Sequence, residues 1–368
     1  MSRAITITAA RTRLIPVSAR TDWLHVLLET DAGMTGIGEA SLNPLPDGFV
    51  DGLTRGCAAL VGRCLDGETL APLAPLLQQG FGARTIHSAL DQAIADLSAQ
   101  RAGVPLYQFL ASGAVRSPIP LYANINRTTT DRSADGFAAS AARAVGQGHT
   151  SLKIAAFDDL APGLCGTSEG QRLIEAGLSR LRAVARDGVE LRVDCHWRFT
   201  SDAAHDILPG LAEIGVAWLE CPLPETPDAI TDLRRLRDRA NRLGIRTAGL
   251  ETFAGWDDVA PFVEGGAYDV IMPDVKHAGG LGRILEIADR AARLGVAVSL
   301  HNPSGPVAHL FSTHVAIAMG GDERMEIQWD ESPDFFRITY PAPRIEGDRC
   351  LVTDSPGLGA KLVKQSAD

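Results

Sequence analysis

At 368 residues the chain exceeds one ordinary domain, and a β/α barrel of about 250 residues plus a smaller attached domain would use the whole length. Its 45 % hydrophobic and 22 % charged residues describe a soluble globular chain with a large core and no long disordered stretch. A net charge of −10 argues against a nucleic-acid partner, since phosphate binding needs clustered bases and the run Arg234 to Arg239 reads as a solvated helix face.

An acidic protein must draw an anionic ligand with something local, either a bound cation or a few placed basic groups. The six cysteines, Cys57, Cys64, Cys165, Cys195, Cys221 and Cys350, form no CxxC pair. With no N-terminal signal pattern and no apolar run of membrane-spanning length, they imply reduced thiols in a cytoplasmic protein that has no membrane partner.

Taken in chain order, Trp23 to Glu29 is rich in β-formers, Asp31-Ala32-Gly33 supplies a turn, and Thr35 to Glu39 continues as a strand, so a hairpin is predicted. Helical stretches follow at Gly48 to Val61, Leu70 to Leu77 and Thr85 to Arg101, the last with Ile86, Leu90, Ile94 and Leu97 at helical spacing. Residues 1–117 therefore read as an α+β domain.

After Ser117-Pro118 the pattern becomes a short apolar strand followed by an amphipathic helix, and it recurs through residues 118–334. The predicted strands are Ile119 to Ala123, Ser151 to Ile154, Glu190 to Val193, Ala217 to Leu219, Arg246 to Leu250, Asp269 to Met272, Ala297 to Leu300 and Met325 to Ile327. Eight strands fit a closed barrel. Helices are predicted between them, among others at Ser168 to Arg186, Asp228 to Leu243, Leu281 to Leu294 and Pro306 to Ala318. The loop-rich tail, about residues 335–368, is expected to pack back on the first domain.

Most of these strands end in a charged or imidazole side chain: Lys153, Asp194, Glu220, Glu251, Asp274, His301 and Glu326. One such residue would mean only an exposed strand end, but seven in register mark the C-terminal face of a barrel, where barrel enzymes do their chemistry. Asp194, Glu220 and Glu251 come from three consecutive strands as three hard oxygen donors. Like charges so placed need a cation, and the donor type suits Mg²⁺ or Mn²⁺ better than Zn²⁺, for which no Cys or His cluster is present.

The chain resembles the enolase superfamily, in its mandelate racemase branch. The resemblance runs through Leu152-Lys153-Ile154, Val193-Asp194-Cys195-His196, Trp218-Leu219-Glu220-Cys221-Pro222, Gly249-Leu250-Glu251, Met272-Pro273-Asp274 with Gly279-Gly280, His301-Asn302-Pro303 and Met325-Glu326-Ile327-Gln328. Glu29-Thr30, Gly36-Ile37-Gly38-Glu39-Ala40, Ala89-Leu90-Asp91 and Gly103-Val104-Pro105 resemble its capping domain. The implied fold is a modified TIM barrel, (β/α)7β, over 118–334, with an N-terminal α+β capping domain over 1–117 that the tail completes.

The implied chemistry is removal of the proton next to a substrate carboxylate held on one Mg²⁺. His301 would be the base, Asp274 its orienting partner and Glu326 a neutral donor to a carboxylate oxygen. Lys153 aligns with the first Lys of a Lys-x-Lys pair whose second member is here Ala155, so the opposite-face base of the racemases is missing, and Lys153 would contact the substrate carboxylate. His196, two residues after Asp194, resembles the general acid of galactonate-dehydratase-type sugar-acid dehydratases. Dehydration of an aldonate or aldarate to a 2-keto-3-deoxy acid is the implied reaction. A racemase, epimerase or lactone cycloisomerase using Lys276, or a non-catalytic binding protein on the same fold, are the alternatives.

Lys276 is assigned a substrate or salt-bridge role, and Arg20, Asn43, Asn124, Asn126 and Trp197 are further pocket candidates. His309 and His314 are expected to be structural. A small-molecule carboxylate is the expected partner, and a homo-oligomer of unspecified size the expected assembly.

Overall fold

The computed structural model describes residues 4–363. A three-stranded antiparallel sheet opens the chain: β1 (Ile7–Ser18), β2 (Thr21–Thr30) and β3 (Thr35–Glu39), in that order. The predicted hairpin is β2 and β3, paired from His25 opposite Glu39 to Glu29 opposite Thr35. β1 has no counterpart in the sequence prediction, because Arg11, Arg13 and Pro16 interrupt its alternation. Against this sheet pack α1 (Phe49–Leu60) and α2 (Phe81–Ala102), with Leu24, Val26, Leu28, Leu53, Leu60, Leu90 and Leu97 in their shared core. Gly36 and Gly38 of β3 let the strand lie directly on α2, since a Cβ at either would collide with the Ala93 or Ala89 carbonyl. The segment predicted as a helix at Leu70 to Leu77 is instead a 3₁₀ run, Ala71–Gln78, where Pro75 cannot donate an α-helical hydrogen bond. A short helix, α3 (Leu106–Leu110), ends the domain.

The eight barrel strands are β4 (Ile119–Asn124), β5 (Ser151–Ile154), β6 (Glu190–Asp194), β7 (Val216–Glu220), β8 (Arg246–Gly249), β9 (Val270–Ile271), β10 (Ala297–Val298) and β11 (Met325–Gln328). They are parallel and hydrogen-bonded in sequence order from β4 to β10, and β11 returns to pair with β4. Between β10 and β11 the ring is joined by the Glu326 N–H to the Leu300 carbonyl (3.3 Å) and by the Ser299 hydroxyl to the Arg324 carbonyl (2.6 Å). β9 and β10 are two residues each, shorter than predicted, because their chains leave the ladder early to form the loops carrying Asp274 and His301.

Helices alternate with the strands as α4 (Ala134–Gly146), α5 (Ser168–Val184), α6 (Ser201–Ile214), α7 (Ile230–Arg242), α8 (Trp256–Glu264), α9 (Leu281–Arg293) and α10 (Pro306–Met319). α4, α5 and α6 begin with Ser133, Thr167 and Thr200, whose side chains accept from the first-turn N–H groups. α10 is buried nearly all round, which explains why His309 and His314 sit in the core, held neutral by burial with pKa values near 3 and 4. After β11 come β12 (Thr339–Tyr340), β13 (Arg344–Glu346), β14 (Arg349–Leu351) and β15 (Lys361–Leu362). β14 adds to the edge of β4, and the Gly357 carbonyl accepts from Leu106 N–H (2.8 Å), tying the tail to the first domain. Among the described residues no helix is long and apolar enough to cross a membrane, and all six cysteines are free thiols.

Two carboxylates of the first domain fasten it to the barrel. Glu39 at the end of β3 accepts from the Gly305 and Ala308 N–H groups (2.9 Å each) at the start of α10. Asp91 of α2 accepts from Leu281 N–H (2.7 Å) at the start of α9. Anions at helix N-termini satisfy donors that would otherwise be orphaned in this buried interface. Gln92 and Ser88 of the same helix bond the Val275 carbonyl and Gly279 N–H, so the whole loop from Asp274 to Gly280 rests on α2.

Candidate active site

Alternation along β7 points Trp218 and Glu220 into the barrel together, and the Trp218 indole donates to Glu220 Oε2 (2.9 Å). One layer lower, the Arg192 guanidinium from β6 lies 4.3 Å from the Tyr122 ring and 4.2 Å from the Trp218 ring, filling the barrel with stacked planes. Above that floor the ends of β6, β7, β8 and β11 bring Asp194, Glu220, Glu251 and Glu326 together, all buried. Lys153 enters from β5, fully buried, with Nζ 2.5 Å from Glu220 Oε1, 2.9 Å from Glu326 Oε1 and 3.6 Å from Asp194 Oδ2.

Charge is unbalanced here. Burial pushes the Glu220 pKa far up, and Asp194, Glu326 and Glu251 push it further, even though Lys153 pulls it down. Burial also opposes the charge on Lys153, yet the carboxylates around it raise its pKa well above the ordinary lysine value. One ammonium is shared by several anions. Asp194 and Glu251 take imidazoles instead: His196 Nε2 lies 3.2 Å from Asp194 Oδ2, and His301 Nε2 lies 3.5 Å from Glu251 Oε2. Among the described residues no three acidic, histidine or cysteine side chains are drawn together at metal-binding distance.

His301 donates through Nδ1 to Asp274 Oδ2 at 2.8 Å, which leaves Nε2 toward the cavity side. Burial disfavours its charged form, but Glu251, the Asp274 hydrogen bond and Glu326 outweigh this and raise its pKa to about 9. Asp274 is fully buried, which alone would raise it; Lys276, His277 and His301 instead drive it far below the usual carboxylate range. Lys276 is buried with Nζ 3.4 Å from Asp274 Oδ2.

Glu326, for which the resemblance implied a neutral donor, is fully buried at the end of β11. Burial favours its protonated form, but Lys153, His301 and the Asn302 N–H hold its pKa below the ordinary value, and it accepts from Asn124 Nδ2 (2.6 Å) and Asn302 N–H (3.0 Å). Asn124 is correspondingly occupied in holding Glu326.

A cavity of about 680 Å³ opens over this floor, lined by Lys153, Asp194, Glu251 and His301 below and His196 at the side. Ala155 also lines it, with no ammonium at that position. Of the remaining candidates, Arg20, Asn43, Asn124 and Asn126 line the cavity, while Trp197 and Lys276 do not. Sequence reasoning missed Arg127, Arg132 and Arg198, which sit in the loops just past β4 and β6 and form much of the outer wall. Their positions beyond strand ends were the available signal, but loop residues carry no periodicity to single them out.

The backbone is strained where the carboxylate-bearing strands end. His196, Trp197, Cys221 and Leu250 have φ values of 45°, 57°, 43° and 71°, each next to or within three residues of Asp194, Glu220 or Glu251. Non-glycine residues rarely adopt such angles, and their concentration at three successive strand ends marks a place where geometry is held at a cost. Half-buried Glu225 accepts from Leu250 N–H (2.7 Å) and the Tyr268 hydroxyl (2.9 Å).

Comparison with known proteins agrees with this arrangement. Residues 4–111 match the mandelate racemase / muconate lactonizing enzyme N-terminal domain, and residues 136–366 match the enolase C-terminal domain-like family. The chain is 29 % identical to a D-gluconate dehydratase of Thermoproteus tenax over 288 residues, covering 78 % of this chain but 56 % of that protein. It is 28 % identical to a D-galactonate dehydratase of Ralstonia pickettii over 321 residues, covering 83 % and 78 % of the two. The solved structure of a mandelate racemase/muconate lactonizing enzyme from Sulfitobacter sp superposes with a TM-score of 0.84 over 98 % of this chain and 93 % of that one, at 20 % identity. A capping sheet and helices over a parallel barrel, together with these two matched regions, make the chain a member of the enolase superfamily, in the mandelate racemase and muconate lactonizing enzyme group.

Proposed function

We propose that the protein is a hydro-lyase, a Mg²⁺-dependent dehydratase that converts a sugar acid into a 2-keto-3-deoxy acid. The observation that carries this reading is the pair of imidazoles on the cavity wall, His301 tied to Asp274 and His196 standing on Asp194, with the second lysine of a racemase replaced by Ala155. The relatives named as gluconate and galactonate dehydratases support the same class.

The donor set fits a divalent cation. Asp194, Glu220 and Glu251 are hard oxygen donors from adjacent strands, gathered with Glu326 around the one ammonium of Lys153. When bound, such an ion supplies Lewis-acid stabilisation of the charge that builds on the substrate carboxylate as the neighbouring proton leaves. The residues do the rest. His301 Nε2 takes the α-proton while Asp274 fixes the ring through Nδ1 and steadies the imidazolium formed. Lys153 lies on the cavity floor, where its charge favours the carboxylate end of the substrate. The electron pair of the broken C–H bond becomes the new double bond, the β C–O bond breaks, and His196 protonates the departing hydroxide to water. The resulting enol tautomerises to the keto acid.

The test is incubation of the Mg²⁺-loaded protein with a panel of aldonates and aldarates in D₂O, following keto-acid formation and α-deuterium together. Keto acid formed from at least one member is the expected result. Deuterium exchange with no keto acid from any would overturn dehydration in favour of racemisation or epimerisation.

A further inference from the structure

The outer wall of the cavity carries four guanidinium groups, Arg20, Arg127, Arg132 and Arg198, which the reaction above does not use. Arg127 is paired with Glu331 (3.4 Å) and Arg132 with Asp158, and Asp159, the other acid on this wall, is paired with Arg180 of α5 (3.1 Å). Among the described residues this leaves Arg20 and Arg198 with no acid partner in ion-pair range. Arg198 donates to the Leu160 carbonyl (2.7 Å), while its Nε is buried without a partner. Arg20 lies near enough for its charge to oppose that of Arg132, whose pKa is lowered first by burial and then by its cationic neighbours Arg180 and Arg20. Unbalanced cations on a concave wall are costly to hold and attract an anion strongly, because a guanidinium presents paired donors to a carboxylate or phosphate.

We propose that this wall is a subsite for a second anionic group, so that the substrate is a dianionic sugar acid: one carboxylate over Lys153 and Asp194, the far terminal group on Arg198 and Arg20. The proposal rests on the dehydratase reading and narrows it. The shared chemistry is a terminal anion, supplied either by the second carboxylate of an aldarate or by the phosphate of a phosphorylated aldonate. Neither named dehydratase relative, of gluconate or of galactonate, takes a substrate with such a second group.

The experiment compares kcat/KM for an aldarate, the aldonate of the same configuration and the 6-phosphate of that aldonate, in the Mg²⁺-loaded protein and its Arg198→Gln and Arg20→Gln variants. Loss of a charged hydrogen bond predicts that one of the two dianions is preferred over the plain aldonate by about 100-fold, mainly through KM. The preference falls by about 10-fold or more in either variant. Equal turnover of aldonate and dianions, or variants that slow all three equally, overturns the subsite. Calorimetric binding of an unreactive dicarboxylate and its monocarboxylate counterpart separates the two readings. If no acid is turned over yet the dicarboxylate binds more tightly and loses that advantage in Arg198→Gln, dehydration fails and the subsite stands. Equal binding of both removes the subsite whatever the activity.

Discussion

The floor and the outer wall of the same cavity are built on opposite principles. The floor stands on strand ends, is buried, and gathers carboxylates around a single ammonium; the wall stands on loops and the β1–β2 turn, is partly open, and gathers guanidiniums. Strands fix side chains to within a fraction of an ångström because their backbones are held on both sides, so Lys153, Asp194, Glu220 and Glu326 stand on them, with Glu251, His196 and His301 in the few residues just beyond the strand ends. Loops can change length and composition without disturbing the barrel, so the groups that choose the substrate belong on the wall. The overall charge of −10 hides this polarity completely.

That contrast can be broken most severely at the base. His301→Asn keeps the hydrogen-bonding shape but removes the proton acceptor, and kcat is expected to fall by about 10³ to 10⁴, measured by steady-state keto-acid production. A retained rate would show that the floor's chemistry lies elsewhere. His196→Asn is expected to cost about 10²-fold in keto acid while α-deuterium exchange in D₂O continues, because only the departure of hydroxide is impaired. If exchange and elimination fall together, His196 has some other role.

Lys153→Met strips the floor of its one ammonium. In metal-free protein this is expected to lower the unfolding free energy by about 3 kcal/mol or more at neutral pH, read by urea denaturation, with the loss easing as the pH falls and a carboxylate takes up a proton instead. An unchanged midpoint would mean that the carboxylates do not depend on Lys153. The smallest effect concerns pH. In metal-free protein the His301 ring should titrate near 9 rather than near 6.5, and Glu251→Gln should bring it down, as followed by NMR of the imidazole. Because the folded value is raised, the stability it contributes is fully present below about pH 6.5 and is lost as the pH rises through about 9.

The sequence made the floor legible and the wall nearly invisible, for a physical reason. β6 and β7 end in Asp194 and Glu220, β5 carries Lys153 one residue from its end and Glu251 follows β8 by two, and the alternation that buries one face also aims Lys153 and Glu220 inward, so pattern and chemistry coincide. Arg127, Arg132 and Arg198 lie where no periodicity operates, and only the folded chain shows which of the many arginines face the cavity. β1 escaped because Arg11 and Arg13 fall on the same face as buried Ile7 and Ile15 and break the apolar alternation. The bent backbone at Cys221 and Leu250 was equally hidden, since neither residue type favours a left-handed conformation. The surroundings of Glu326 are assembled from Lys153, Asn124 and Asn302 arriving from three separate segments, which no local reading could bring together.

The Glu39 and Asp91 contacts to α10 and α9 bear on how such a protein can be taken apart and recombined. The loops that precede those two helices carry His301 and Asp274, so the first domain holds this hydrogen-bonded pair from behind as well as covering the cavity. A barrel expressed alone would start both helices with buried donors unanswered, and a first domain borrowed from a relative would serve only if it returned carboxylates to the same two places. The two domains are therefore one inheritable unit: loops on the wall can be exchanged freely, but the boundary between the domains is a poor place to cut.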